Sequence, residues 1–236
     1  MIKRTINRYQ TSVYSLYVDM INQPHLLIAG TTGSGKSTLL HALIYTAIAN
    51  NSHSKMILLD SKGIELYQYR NMMQCGYYGS SIPEQLHGLK IAYNTMMKCF
   101  QDMRKKGLKK TNKAPVYVII DEYANLATSQ YKKECLLYIQ RICQLGRATN
   151  MHVWLSTQTP ISKILSTEIK VNLDARIGLR TRSKQDSRNI IDKTGLETLP
   201  RYGIGYYMSP DKNGLFHVNM YSEEDIKKLI EYYKRR

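Results

Sequence analysis

The chain has 236 residues, of which 43% are hydrophobic, and this suits one α/β domain with an ample core. Its 34 Lys and Arg residues against 18 acidic residues give a net charge of +16, which favours a polyanionic partner, although charge can also serve solubility alone. The sequence has no apolar stretch near the ~20 residues of a membrane helix, no signal peptide and no Cys-x-x-Cys pair. We therefore expect a soluble, cytoplasmic protein with reduced thiols.

Predicted strands and helices alternate along the chain. Residues 1–23 form a lead-in with a strand near 13–18, and residues 24–236 form the main domain. Its predicted elements are strands 25–29, 55–60, 116–120, 151–156 and 175–180, helices 38–49, 83–106, 131–145, 187–193 and 223–234, and a β-hairpin over 205–218. This alternation predicts a mostly parallel sheet with helices on both faces, a small C-terminal hairpin and helix, and ligands at the carboxyl ends of the strands.

A glycine-rich segment, Gly-Thr-Thr-Gly-Ser-Gly-Lys-Ser over 30–37, lies between the first strand and helix of the main domain. Strand, Gly-x4-Gly-Lys-Ser turn and helix form the context of a phosphate-binding loop rather than of a plain turn. Its backbone N–H groups would surround phosphate oxygens, while Lys36 would reach the β- and γ-phosphates and Ser37 would hold Mg²⁺. The predicted ATP-binding residues are Gly30, Thr31, Thr32, Gly33, Ser34, Gly35, Lys36, Ser37 and Thr38.

Two later strands end on polar side chains. The apolar strand 116–120 is followed by Asp121 and Glu122, and an acidic turn that caps the next helix would also explain this pair. We predict that Asp121 completes the Mg²⁺ site and that Glu122 is the general base for the attacking water. Gln158 follows strand 151–156 and is predicted to lie between the γ-phosphate and that water, although a lone Gln is often a plain surface residue.

Several motifs in order resemble the FtsK/SpoIIIE family of DNA translocases over about residues 24–233. They include the phosphate-loop segment 24–37, Asp-Ser-Lys-Gly-Ile-Glu-Leu over 60–66, Asp-Glu-Tyr-Ala-Asn-Leu over 121–126 and Gly-Arg-Ala over 146–148. The segments 152–160, 169–172, 183–188, 195–197 and 222–226 keep the family spacing. The chain departs from the family pattern at Asn125, Thr159 and Ile204.

This resemblance implies a RecA-like P-loop motor that assembles as a homo-oligomeric ring, usually a hexamer, around double-stranded DNA. It also implies ATP sites at subunit boundaries, where a neighbouring subunit supplies an arginine to the γ-phosphate. Arg147 is the candidate for this finger, with a salt bridge at a helix end as the alternative, and Lys184 and Arg188 match a segment near the nucleotide or the interface. We expect a motor core alone, for which a membrane, replication or relaxase partner would supply anchoring and direction.

Residues 98–113 form a basic segment, which ends helix 83–106 and leads to the strand that carries Asp121. In a ring motor it can face the pore and contact DNA phosphates, whereas in an ordinary enzyme it would be a solvated helix end. A second basic stretch, with Arg176, Arg180 and Arg182, is open to the same interpretations. The predicted DNA-binding residues are Arg104, Lys105, Lys106, Lys109 and Lys110.

Three functions remain open from the sequence. The leading one is an ATP-driven translocase on double-stranded DNA that serves plasmid- or phage-type DNA transfer, replication or packaging. The second is an energising ATPase subunit of a protein-secretion machine, since such ATPases share this motor. The third is a nucleotide-dependent assembly protein with little hydrolysis. Stimulation of ATP hydrolysis by DNA, by a protein substrate or by neither would distinguish them.

Overall fold

The computed structural model describes residues 14–15, 24–173, 175–217 and 221–234. The strands are β1 (Tyr14–Ser15), β2 (Leu26–Ala29), β3 (Lys55–Asp60), β4 (Cys75–Gly79), β5 (Val116–Asp121), β6 (Met151–Thr157), β7 (Ala175–Gly178), β8 (Ile204–Met208) and β9 (Asn213–His217). The helices are α1 (Lys36–Asn50), α2 (Ile82–Lys105), α3 (Tyr123–Thr128), α4 (Lys132–Leu145), α5 (Thr167–Asn172), α6 (Lys184–Ile191) and α7 (Glu223–Tyr232).

The strands form one mixed sheet in the order β1-β9-β8-β7-β2-β6-β5-β3-β4. Within it, β8 is antiparallel to β7 and β9, and every other pairing of the described strands is parallel. Because β2 lies between β6 and β7, and β6 lies beside β5, the carboxyl ends of β2, β5 and β6 meet at one edge. The predicted α/β class with a mostly parallel sheet is therefore confirmed.

Alternating side chains of the central strands are buried in two separate apolar clusters, one on each face of the sheet. In β2, Leu27 and Ala29 pack with α2 and α4 on one face, whereas Leu26 and Ile28 pack with α1 on the other. Ile226 places α7 on the same face as α1. A strand buried on both faces needs a largely apolar sequence, which explains the composition of β2 and of the first five residues of β5. Helices on both faces are thus confirmed.

A local sequence signal explains where the longest helix begins. Ser81 and Glu84 form a capping box at the start of α2, where each side chain accepts a backbone N–H of the other residue.

At the amino end of β2, the N–H of Val153 donates to Nδ1 of His25 over 3.1 Å. Burial lowers the pKa of His25 to about 3, so its ring is neutral near neutral pH.

Some elements differ from the sequence-based expectation. Strand β4 and helices α3 and α5 were not predicted, and β1 occupies only part of the predicted strand 13–18, whose other residues lie outside the described ranges. The predicted C-terminal hairpin is confirmed for its described part, since β8 and β9 pair antiparallel. All four cysteines lie in the described ranges, where they are buried and form no disulfide bond. In the described parts of the chain, no helix is both long and apolar enough to span a membrane.

Candidate nucleotide-binding site

The glycine-rich segment forms a turn between β2 and α1 at the carboxyl edge of the sheet. Gly33 and Gly35 have φ angles of 74° and 89°, a region that side chains with a Cβ rarely adopt. Helix α1 begins at Lys36, and no acidic residue of its own first turn neutralises the positive end of the helix dipole. The hydroxyl of Ser34 is buried and has no hydrogen-bond partner among the described residues. This turn has the geometry of an anion-binding cradle.

The side chain of Lys36 lies inside the sheet edge and is only 4% exposed. Its Nζ donates to Oδ1 of Asp121 over 2.7 Å and to the hydroxyl of Ser156 over 3.3 Å. Ser156 itself donates to the same Oδ1 over 2.8 Å, whereas the buried Oδ2 of Asp121 has no partner among the described residues. The lysine of the phosphate loop and the acid at the end of β5 therefore face each other across one site.

A third residue reaches this site from the loop after β3. The hydroxyl of Ser37 donates to Oε1 of Glu65 over 2.8 Å. Asp60 shapes the loop that presents Glu65, because its carboxylate accepts the backbone N–H groups of Lys62, Gly63 and Leu66.

The Glu65 carboxylate also has a second neighbour, His41 of α1, whose Nε2 lies 3.4 Å from Oε2. Hydrogen bonds from His41 and Ser37, the first being the larger cause, hold the pKa of Glu65 at about 2. Glu65 is therefore an ionised carboxylate beside the residue predicted to hold Mg²⁺. The sequence analysis included Glu65 only as part of the motif over residues 60–66. No local sequence signal predicted its contact with the phosphate loop.

The oxygen donors at this edge fit a magnesium ion that a nucleotide helps to bind. Across the described ranges, no cluster of three or more His, Cys, Asp and Glu side chains could hold a metal by itself. Magnesium usually takes only one or two protein carboxylates and completes its shell with phosphates and water. The hydroxyl of Ser37 and the unpartnered Oδ2 of Asp121 are suitable donors.

Glu122 links the end of β5 to the end of β6. Its backbone has a φ of 63°, unusual for a residue with a side chain, and the side chain is buried. The carboxylate accepts the hydroxyl of Thr157 over 2.8 Å and the backbone N–H of Gln158 over 3.1 Å. The side chain of Gln158 in turn accepts the hydroxyl of Thr32, in the phosphate loop, over 2.8 Å. The structure thus brings the three predicted motifs together, whereas the catalytic roles stay predictions.

Arg147 lies elsewhere. It is exposed on the short 3₁₀ turn Gly146–Thr149, which leads into the amino end of β6. Gln158 follows the carboxyl end of the same strand, and the seven residues of β6 span about 23 Å. Arg147 is therefore at the opposite edge of the sheet from the phosphate loop of its own chain.

The basic segment lies at the same amino edge as Arg147. Its five predicted DNA-binding side chains are exposed, and none of them forms an ion pair with a described residue. Asp102, the acid nearest to them along the chain, is paired with Lys113 at 2.6 Å. The N–H of Thr111 donates to the carbonyl of Ala148 over 2.9 Å, which ties this segment to the turn that carries Arg147.

The second basic stretch is divided by the structure. Arg176 donates to Asp192 over 2.6 Å and to the carbonyls of Leu173 and Ile190, and its side chain is 12% exposed. Arg176 therefore secures the start of β7 to the end of α6, which argues against the suggested exposure to a pore or subunit boundary. Arg188 and Lys184 are exposed on α6.

The fold and this site are those of a P-loop nucleotide-binding domain with a RecA-like sheet. The FtsK/SpoIIIE family model matches residues 10–109. DNA translocase FtsK of Helicobacter pylori (strain ATCC 700392 / 26695) is 32% identical over 234 residues, which cover 92% of this chain and 27% of that protein. The FtsK of Treponema pallidum (strain Nichols) is 30% identical over 235 residues, covering 91% of this chain and 29% of that protein. The resemblance to the FtsK/SpoIIIE family is confirmed, and the chain spans less than a third of these relatives.

Solved structures with a similar fold come from two kinds of machinery. The pCW3 conjugation coupling protein TcpA with ATPγS matches with a TM-score of 0.80 at 22% identity, over 92% of this chain and 67% of that one. The cytoplasmic domain of the Thermomonospora curvata Type VII secretion ATPase EccC matches with a TM-score of 0.73 at 21% identity, over 90% of this chain and 28% of that one. At these identities the likeness supports the fold alone.

Proposed function

We propose that this chain is the motor core of an ATP-driven translocase on double-stranded DNA, acting in the cytoplasm as a ring of identical subunits. The observation that carries the proposal is the convergence of Lys36, Asp121, Glu122 and Gln158 on the phosphate loop. The relatives named DNA translocase FtsK and the coupling-protein fold support DNA as the polymer that is moved. Plasmid- or phage-type transfer, replication or packaging are the processes that such a core would serve.

The residues at the carboxyl edge have separate chemical tasks in this proposal. The backbone of residues 30–38 binds the phosphates, and Lys36 leaves Asp121 to compensate the charge of the β- and γ-phosphates. Ser37 and Asp121 would hold a magnesium ion, which supplies further charge compensation when bound. Glu122 accepts the proton of the attacking water, and the donors on Thr157 and Gln158 fix the position of its carboxylate.

The position of Arg147 supports a role in a neighbouring subunit. Because it lies at the amino edge of the sheet, it is remote from the nucleotide of its own chain. In a ring that packs the amino edge of one subunit against the carboxyl edge of the next, Arg147 would approach the neighbour's γ-phosphate. An arginine of this kind can raise the rate of hydrolysis by ~10³ or more.

A second candidate function is to energise protein secretion. The observation in its favour is the similar fold of the secretion ATPase EccC. The exposed, unpaired cations of the basic segment favour DNA, because a duplex offers a continuous row of phosphates to such a surface. In a nucleotide-dependent assembly protein with little hydrolysis, the buried carboxylate of Glu122 would have no catalytic function.

The test is the rate of ATP hydrolysis by the purified chain with and without long double-stranded DNA. We expect duplex DNA of any sequence to stimulate the rate, and Lys36→Ala to remove both nucleotide binding and hydrolysis. Hydrolysis that responds only to a protein substrate would support the secretion role. Nucleotide binding with negligible hydrolysis under every condition would support the assembly role.

A further inference from the structure

An arginine that the motifs do not include lies against the phosphate loop. Arg201 is in the segment between the 3₁₀ turn Leu196–Thr198 and strand β8. A Cβ placed on Gly33 would be 3.3 Å from Nη2 of Arg201 and 3.7 Å from its Nε. The guanidinium group therefore covers the middle of the phosphate loop, and Gly33 leaves the space that it occupies.

The charge of Arg201 is not used within the described structure. Arg201 forms no ion pair with a described residue, and its Cζ lies 5.3 Å from the centroid of the Tyr202 ring. Tyr202 is itself 61% exposed, so the pair does not belong to the core. An unpaired guanidinium group has a strong preference for phosphate oxygens, which it can bind through two parallel hydrogen bonds.

The position of Arg201 relative to Lys36 also matters. Lys36 approaches the site from inside the sheet edge, where it is paired with Asp121. Arg201 approaches from the solvent side of the loop, since it is exposed. A polyphosphate chain in the cradle would therefore have a cation on each side.

We propose that Arg201 binds the phosphates of the nucleotide held by its own subunit, as a second cationic ligand beside Lys36. This assignment rests on the proposed nucleotide site, but it does not depend on DNA or on assembly into a ring. Arg201 thus differs from Arg147, which is at the opposite edge and would act on a neighbouring subunit.

The test measures nucleotide affinity by fluorescence titration with labelled ATP, ADP and AMP, at concentrations where light scattering shows a monomer. We expect Arg201→Ala to raise the Kd of ATP by about 10- to 100-fold, the usual effect of losing one hydrogen-bonded charge contact. The Kd of AMP should change far less, because AMP lacks the β- and γ-phosphates. Arg201→Lys should recover part of the loss.

Lys212→Ala is the matched control, because it removes one positive charge from the turn between β8 and β9. It should leave all three affinities unchanged, and the thermal unfolding of each variant shows whether the fold is kept. An unchanged ATP affinity of Arg201→Ala, or a loss that appears only in assembled rings, would overturn the proposal while leaving the phosphate loop in place. Failure of the unmodified chain to bind any nucleotide would overturn the proposed function and this assignment with it.

Discussion

The basic segment after α2 offers a quantitative test of DNA binding. Neutralising Lys105, Lys106, Lys109 and Lys110 together by alanine substitution should weaken the dependence of DNA affinity on salt. The structure gives the reason, because these side chains are exposed and unpaired, whereas Lys113 is already neutralised by Asp102. Each released phosphate contact changes the slope of log K against log salt by about 0.9.

The size of the effect follows from that slope. One contact accounts for about a 3.5-fold loss of affinity between roughly 50 and 200 mM salt, so four contacts account for about 150-fold per subunit. The unmodified protein should lose affinity by about 10³ or more over this range if each ring contacts several phosphates. The quadruple variant should lose most of this salt dependence and its stimulation by DNA, while basal ATP binding persists.

Fluorescence anisotropy of a labelled duplex, measured over a series of salt concentrations, gives both slopes. A variant with alanines at Lys132, Lys133, Lys227 and Lys228 removes the same charge from α4 and α7 and serves as the control. The control should keep the original slope to within about one unit. If the basic-segment variant also kept it, the segment would be a solvated surface, and the contacts would come from other exposed cations such as Arg180, Arg182 or Lys184.

Three further predictions concern hydrolysis, assembly and stability. Glu122→Gln should bind ATP but hydrolyse it at least about 10²-fold more slowly, because the amide cannot accept the proton of water; normal turnover in single-turnover assays would exclude Glu122 as the base. Mixing Arg147→Ala with Lys36→Ala subunits should restore part of the ATPase activity. The reason is that some boundaries then join the intact phosphate loop of an Arg147→Ala subunit to the Arg147 of a Lys36→Ala subunit. No recovery at any ratio, in rings shown by mass spectrometry to be mixed, would assign the finger to another arginine. The free energy of unfolding should fall by about 2 kcal/mol between about pH 7.5 and 5 on account of His25. In the folded chain the pKa of His25 is lowered to about 3, whereas in the unfolded chain the ring takes up a proton as the pH falls below about 6.5, which favours unfolding. In denaturant titrations, His25→Gln should reduce this loss of stability, whereas a variant of the exposed His53 should not. If the free energy of unfolding changed equally with pH in His25→Gln and in the unmodified chain, His25 would not contribute.

Much of the fold could be predicted because its signals are local. The uninterrupted apolar strands, the glycine-rich turn and the capping box at Ser81 each act within a few residues. Strand β4 carried no comparable signal, since Cys-Gly-Tyr-Tyr-Gly has two glycines and only its ends are buried. Its pairing with β3 at the sheet edge is a tertiary contact that pattern alone does not show.

The site divides in the same way. Lys36 was identified from the glycine-rich motif that follows β2, and Asp121, Glu122 and Gln158 were identified because they end or follow apolar strands. Parallel strands bring these carboxyl ends together. The contact between Glu65 and Ser37 depends on a loop that Asp60 folds back, and the approach of Arg201 to Gly33 joins segments far apart in the chain. Such contacts come from tertiary structure, for which a single sequence has no periodic signal.

The most direct test of the account is movement along duplex DNA coupled to ATP hydrolysis. The purified chain can be given a linear duplex that carries a bound third strand, whose release is followed on a native gel. The account predicts release with ATP but not with ATPγS, independent of duplex sequence, and no release by Glu122→Gln. Absence of release by the unmodified chain, under conditions in which DNA stimulates its ATP hydrolysis, would contradict the claim that it is a translocase.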